Sequence, residues 1–141
     1  MLFRSVLMEL DIVTLAAEKA TDEDRQAIRD ALEEYETSGP SVSEETGWPA
    51  HDRFHIALAE ATQNPILVLL LQSLLDMVPQ PLRGGLYTGT KEEVAERFRS
   101  EHEIHQELCD AVIRGDVDAA REWMTLHAKN EDHVIDIYYQ V

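Results

Sequence analysis

Apolar residues recur every three or four positions along most of the chain, which is the spacing typical of amphipathic α-helices. The first such segment covers roughly residues 2–20 and has apolar positions at Phe3, Val6, Leu7, Leu10, Val13 and Ala17. We find no sustained alternation of β-branched residues of the kind that indicates strands. The pattern therefore predicts an all-α protein.

Turn and capping residues divide this pattern into six predicted helices, over about residues 2–20, 22–37, 49–62, 65–77, 91–114 and 117–139. Their starts are marked by Thr21 with Asp24, by Pro65, by Thr90 and by Asp116. A polar loop is predicted over 41–47 and a long break, rich in proline and glycine, over 79–89. The fourth helix is so apolar that we expect it to be buried on nearly all sides. Together these segments predict a single domain over residues 1–141, an antiparallel bundle of about six to seven helices.

Charge and composition narrow the partners of this bundle. The 141 residues include 28 acidic and 12 basic side chains, which gives a formal net charge of −16. Such a chain repels phosphate backbones and anionic lipid surfaces, so neither direct DNA contact nor membrane association is expected. The longest apolar run, 65–71, is too short to cross a bilayer. The one cysteine, Cys109, excludes a disulfide framework and favours a cytoplasmic location.

Histidines are the most informative side chains, because three predicted helices place them on faces that also carry apolar residues. His51 and His55 are four residues apart and share a face with Leu58, while Asp52 lies at the edge of that face. The other histidines of interest are His102 and His105 on the fifth helix and His127 at the end of an apolar stripe on the sixth. Each is either a hydrogen-bonded core histidine or a ligand.

Several inward histidines in one bundle are the arrangement from which helical proteins build metal sites. Zinc and similar divalent ions take neutral imidazole and carboxylate ligands, and buried imidazoles without a partner are costly. The segment His102-Glu103-Ile104-His105 is one residue shorter than the zinc-protease motif, so protease chemistry is not expected. The spacing thus leaves open a metal site and a metal-free core.

Three blocks of the sequence resemble a known family. The first block is Arg4, Glu9, Leu15-Ala16-Ala17 and Ala20-Thr21, and the second runs from Phe54-His55 to Asn64-Pro65. The third block is His105, Ala111, Gly115-Asp116, Ala119-Ala120, Met124 and His127. In these blocks the chain resembles the FCD domain, the C-terminal effector-binding and dimerisation domain of FadR-type GntR transcription regulators.

The resemblance implies a divalent metal, zinc or nickel, held by His55, His105 and His127. The fourth ligand in such domains is usually an aspartate four residues before the first histidine. Here that position is His51, and Asp52 follows it, so either residue is a candidate. The implied effector is a small organic acid, with Arg4, His102 and Asn64 as candidate contacts.

The resemblance also implies a non-enzymatic sensor that forms a homodimer. Its contact with DNA would depend on an N-terminal winged-helix domain. We expect that domain to be absent from this chain, which would then be an excised fragment or a stand-alone sensor. Two other functions stay open: a helical-bundle metalloenzyme acting on small organic acids, and a dimerisation bundle without metal.

Overall fold

The computed structural model describes residues 2–38, 47–77 and 89–139, and the side chains within 6–37, 50–77 and 89–129. Six helices make up these segments: α1 Leu2–Lys19, α2 Asp22–Ser38, α3 Gly47–Glu60, α4 Pro65–Met77, α5 Lys91–Ile113 and α6 Val117–Tyr139. No strand occurs in them, which confirms the all-α prediction. The predicted loop at 41–47 and the break at 79–89 fall almost wholly outside the described residues.

Local capping fixes the helix starts where the sequence predicts them. The Thr21 hydroxyl accepts a hydrogen bond from the Asp24 backbone N–H (3.1 Å), and the Asp24 carboxylate accepts one from the Thr21 N–H (2.9 Å). Thr90 and Glu93 form the same reciprocal box at the start of α5. The Asp116 carboxylate accepts a hydrogen bond from the first turn of α6. These bonds satisfy backbone donors that a helix leaves free at its N-terminus.

The core lies where α1, α3, α5 and α6 meet, with α2 packed against α3. The largest fully buried side chains are Ile12, Ile28, Phe54, Leu58, Leu108 and Met124. Buried alanines on α1, α3, α5 and α6 allow the helix backbones to approach closely. The histidine-bearing faces of α3, α5 and α6 are therefore turned towards one another.

The burial predicted for α4 is wrong. Leu71 is the buried residue of this helix, whereas Ile66, Leu69, Leu70 and Met77 are between 48% and 65% exposed. The reason is that α4 packs mainly against α3 and only slightly against α1, so one side is covered. None of the described helices combines the length and the apolar composition needed to cross a membrane.

The predicted inward face of α1 is also partly wrong, because Leu7 is about half exposed. The buried stripe runs instead through Glu9, Ile12, Val13 and Ala16, at helical spacings of three and four. Leu7 lies outside this stripe. Hydrophobic periodicity does not identify this stripe, because one of its buried residues, Glu9, is charged.

Candidate metal centre

Four buried histidines meet at the centre of the bundle: His51 and His55 from α3, His105 from α5 and His127 from α6. Each offers one ring nitrogen, and these nitrogens all lie within 4.8 Å of one another. The four-residue spacing on α3 places its two rings on one face, and the packing of α5 against α6 brings the other two to the same point. The structure therefore joins the three histidines implied by the resemblance and adds His51.

Three of the four rings, those of His51, His55 and His105, approach one another through their Nε2 atoms. The Nε2 atom of His55 lies 3.2 Å from that of His51 and 3.3 Å from that of His105. The His127 ring stacks on His55, with centroids 4.9 Å apart and planes at 22°. Ligand nitrogens about 2.0–2.1 Å from a tetrahedral zinc ion lie roughly 3.3–3.4 Å apart. The observed separations thus fit a shared divalent ion.

On the opposite side of each ring, Nδ1 faces an oxygen atom. The contacts are His51 with Asp52 Oδ1 (3.4 Å), His55 with Glu9 Oε1 (3.9 Å), His105 with the Glu101 backbone oxygen (2.6 Å) and His127 with Glu101 Oε2 (3.3 Å). The His105 contact is a short hydrogen bond, so we assign the proton of that ring to Nδ1. Its Nε2 lone pair is then directed at the neighbouring histidines, as in metal-bound histidines whose other nitrogen is held by an outer acceptor.

Burial keeps the His55 and His105 imidazoles uncharged. The pKa of His55 lies well below its ordinary value because the ring is buried and because His51, His127 and His105 are close by. Burial, followed by the proximity of His127 and His51, lowers the pKa of His105 in the same way. Neutral imidazole is the form that binds metal. A cation between these lone pairs would remove their mutual repulsion.

Asp52 does not join this group of nitrogens. Its Oδ1 contacts the Nδ1 atom of His51, whereas the Nε2 atom of His51 is the one near His55. The aspartate therefore lies behind the His51 ring, where it can orient that ring. This geometry favours His51 over Asp52 as the fourth ligand.

The residues expected to contact an effector are not part of the four-histidine group. His102 is half-buried, lies parallel to the Phe98 ring and has its Nε2 atom 3.6 Å from Glu36 Oε1. Asn64 is exposed, and its side-chain oxygen accepts a hydrogen bond from the first turn of α4. The side chain of Arg4 lies outside the described residues.

Cys109 does not contribute a ligand to this group. It is buried one turn after His105, and burial raises the pKa of its thiol to about 12. A thiol that stays protonated is a small apolar core group rather than a metal ligand.

Sequence reasoning missed three residues around the site. Glu9 and Glu101 are buried carboxylates beside the histidine rings, and Tyr35 packs on His51 and His105 with ring centroids 5.5 and 5.0 Å away. Helical spacing contained a signal for Glu101, which is four residues before His105 and shares its face. Both glutamates occupy positions that hydrophobic periodicity assigns to solvent.

Comparisons with known proteins agree with this architecture. The family model of the FCD domain matches residues 4–130. The HTH-type transcriptional regulator LutR of Bacillus subtilis (strain 168) is 31% identical over 136 residues, 95% of this chain and 60% of that protein. The Uxu operon transcriptional regulator of Escherichia coli (strain K12) is 32% identical over 146 residues, 94% of this chain and 54% of that protein.

A solved structure of E. coli McbR/YncC is similar in fold, with a TM-score of 0.80 and 21% sequence identity. The match covers 96% of this chain and 62% of that one. The chain thus spans between about half and two thirds of the length of these relatives.

Proposed function

The chain belongs to the FCD domain family of GntR-type transcriptional regulators, and from this premise we propose that it is a sensor for a small carboxylate, built around a divalent metal ion. The relatives reported above are regulators of transcription rather than enzymes, so no catalytic step is assigned. One observation carries the proposal: four buried imidazoles from three helices each bring one ring nitrogen to within 4.8 Å of the others.

His51, His55, His105 and His127 would hold the ion. Four nitrogen ligands suit zinc or nickel better than magnesium or calcium, which prefer oxygen. When bound, such an ion supplies a Lewis-acidic centre to which carboxylate oxygens can coordinate. Because imidazoles are neutral, they do not themselves cancel the charge of the ion, which can therefore attract an anionic effector.

His102 and Arg4 remain the proposed effector contacts from the chain itself. His102 is on α5, three residues before His105, and its ring is half-buried. Arg4 is proposed from the family resemblance of the first block. Asn64 is left out because its side-chain oxygen already caps an exposed helix start.

Metal content measured after loading tests this proposal. We expect the wild-type chain, loaded with zinc or nickel and then dialysed, to retain about one ion per chain by elemental analysis. His51→Ala should lose affinity for the ion, whereas Asp52→Ala should retain most of it. If only Asp52→Ala loses affinity for the ion, the aspartate is the fourth ligand. If the wild-type chain retains no metal, the bundle is purely structural.

The effector is tested by calorimetric titration of small hydroxy- and keto-acids into metal-loaded and metal-free protein. We expect binding to the loaded form only, with no consumption of the acid. Turnover of any of these acids would instead favour the metalloenzyme. Equal binding to both forms would show that the effector is recognised without the ion.

We also propose that the exposed face of α4 pairs two copies of the chain. Ile66, Leu69, Leu70 and Met77 form an apolar stripe at helical spacing, and a stripe of this kind marks an association surface. A second copy can cover it through a symmetric interface in which the same patch meets itself. In a full-length regulator, effector binding would then alter the relative position of two DNA-binding domains.

Sedimentation analysis of two variants tests this surface. Leu69→Glu should convert a dimer into a monomer, because the new carboxylate would be buried at the interface. Leu126→Glu, an exposed leucine on α6, is the matched control and should leave the dimer intact. A wild-type monomer, or a dimer that survives Leu69→Glu, would contradict this assignment.

A further inference from the structure

Glu101 contacts two of the four histidines through two different groups. Its backbone oxygen accepts the hydrogen bond of His105 Nδ1 at 2.6 Å. Its carboxylate Oε2 lies 3.3 Å from His127 Nδ1 and 3.8 Å from His105 Nδ1. The main chain of Glu101 therefore holds the His105 ring, whereas its carboxylate lies against Nδ1 of His127.

The charge of this side chain is as informative as its position. Glu101 is only 9% exposed, and a buried carboxylate is costly unless a positive charge compensates it. Glu9, 7% exposed, lies in the same way behind His55. Imidazole ligands carry no negative charge, so these two carboxylates are placed to offset part of the charge of a divalent ion.

We propose that Glu101 is a positioning residue of the metal centre, which orients His127 and supplies part of the negative charge that its uncharged ligands lack. The inference rests on the proposed metal function. It goes beyond that function by naming an outer residue on which the affinity for the ion depends. Glu101 would thus contribute to zinc affinity in two ways, through the orientation of a ligand ring and through its charge. Only the first of these contributions requires the His127 ring.

Zinc affinity, measured by competition with a chelating dye, tests the proposal on three variants. Glu101→Ala removes both the acceptor and the charge, and we expect affinity to fall roughly 10–100-fold. Glu101→Gln keeps an oxygen that can accept from His127 Nδ1, so its loss should be smaller. Glu103→Gln, two residues away on the exposed side of α5, is the control and should bind as the wild type does.

A second measurement separates orientation from charge. The dye competition also registers binding too weak to survive dialysis, so it can be read in a chain that lacks one histidine. In that assay the difference in affinity between Glu101→Ala and Glu101→Gln should disappear when His127 is replaced by alanine, because no ring is left to orient. The same difference should persist when His51 is replaced instead. Circular dichroism of the metal-free variants checks that each remains helical. If Glu101→Ala does not fold, Glu101→Gln, which preserves the side-chain shape, still allows the affinity to be compared with that of the wild type.

Two results would overturn the proposal while leaving the metal function standing: wild-type affinity in Glu101→Ala, or an Ala–Gln difference that survives in the His127→Ala background. A wild-type chain that retains no zinc would overturn the proposed function itself, and this inference with it. The wild-type titration therefore distinguishes the two failures.

Discussion

Acidification of the metal-free domain should destabilise it, because His55 and His105 are held neutral by burial. The pKa of each lies well below that of an exposed histidine. Between the lowered pKa and the ordinary one, the unfolded chain binds protons that the folded chain does not. The stabilising effect is thus fully present above the unfolded pKa of about 6.5 and is lost as the pH falls below it.

The size of the effect follows from the protons taken up on unfolding. Each histidine that stays neutral in the fold lowers the free energy of unfolding by about 1.4 kcal/mol between pH 7.5 and 5.5. The two together give about 2.7 kcal/mol over that interval. A domain of this kind has a total stability of about 5–15 kcal/mol, so the loss is a substantial part of it.

Urea unfolding at pH 7.5, 6.5 and 5.5, with a chelator present and at one protein concentration, measures this loss. The double variant His55→Gln/His105→Gln should lose about 2.7 kcal/mol less stability over this pH interval, because the two groups that take up protons on unfolding are gone. His102→Gln, at a half-buried position outside the group, serves as the control. Equal stability at pH 7.5 and 5.5 in the wild type would refute the argument that these rings are buried in neutral form.

Other consequences of the structure can be measured separately. His105→Ala or His127→Ala should abolish metal retention by elemental analysis while leaving the helical circular dichroism in place, and unchanged metal content in both would contradict the ligand assignment. Zinc at 100 times its dissociation constant should stabilise the fold by about 2.7 kcal/mol, a gain that a chelator reverses in thermal melts. Phe54→Ala should lower the free energy of unfolding by about 3–5 kcal/mol, since the ring is fully buried; a loss below about 1 kcal/mol in urea would mean the core tolerates it. Thr90→Ala should lower it by about 1 kcal/mol in the same assay through loss of the capping box, and no change would show that the cap is dispensable.

The helices themselves were predictable because their signals are local. Capping pairs such as Thr21 with Asp24 act within four residues, so they can be recognised in the sequence alone. The burial of α4 was not predictable in this way. Its apolar composition shows that the helix avoids water, but only the tertiary structure shows which of its sides is covered, and by what.

The site was predictable to the extent that its residues have unusual chemistry. Histidines on apolar faces indicated a ligand group, and the resemblance selected His55, His105 and His127 from the six present. Spacing leaves His51 and Asp52 both open as the fourth ligand, because neighbouring residues on a helix project about 100° apart and both lie near one face, whereas the three-dimensional geometry favours His51. Glu101 was missed because an acidic residue on a helix is normally solvent-exposed, and only the packing of α6 against α5 brings it behind His127.

Helix α3 connects the four-histidine group to the exposed face of α4. It carries His51 and His55, two of the four converging nitrogens, and it is also the main helix against which α4 packs. A packed helix moves as a unit, because side chains in a dense interior cannot absorb a displacement individually. A shift of α3 caused by metal coordination at its two histidines would therefore be passed to α4 and the stripe that includes Leu69. In the proposed sensor no separate relay is needed, since the helix that carries two of the four histidines also supports the proposed dimer surface.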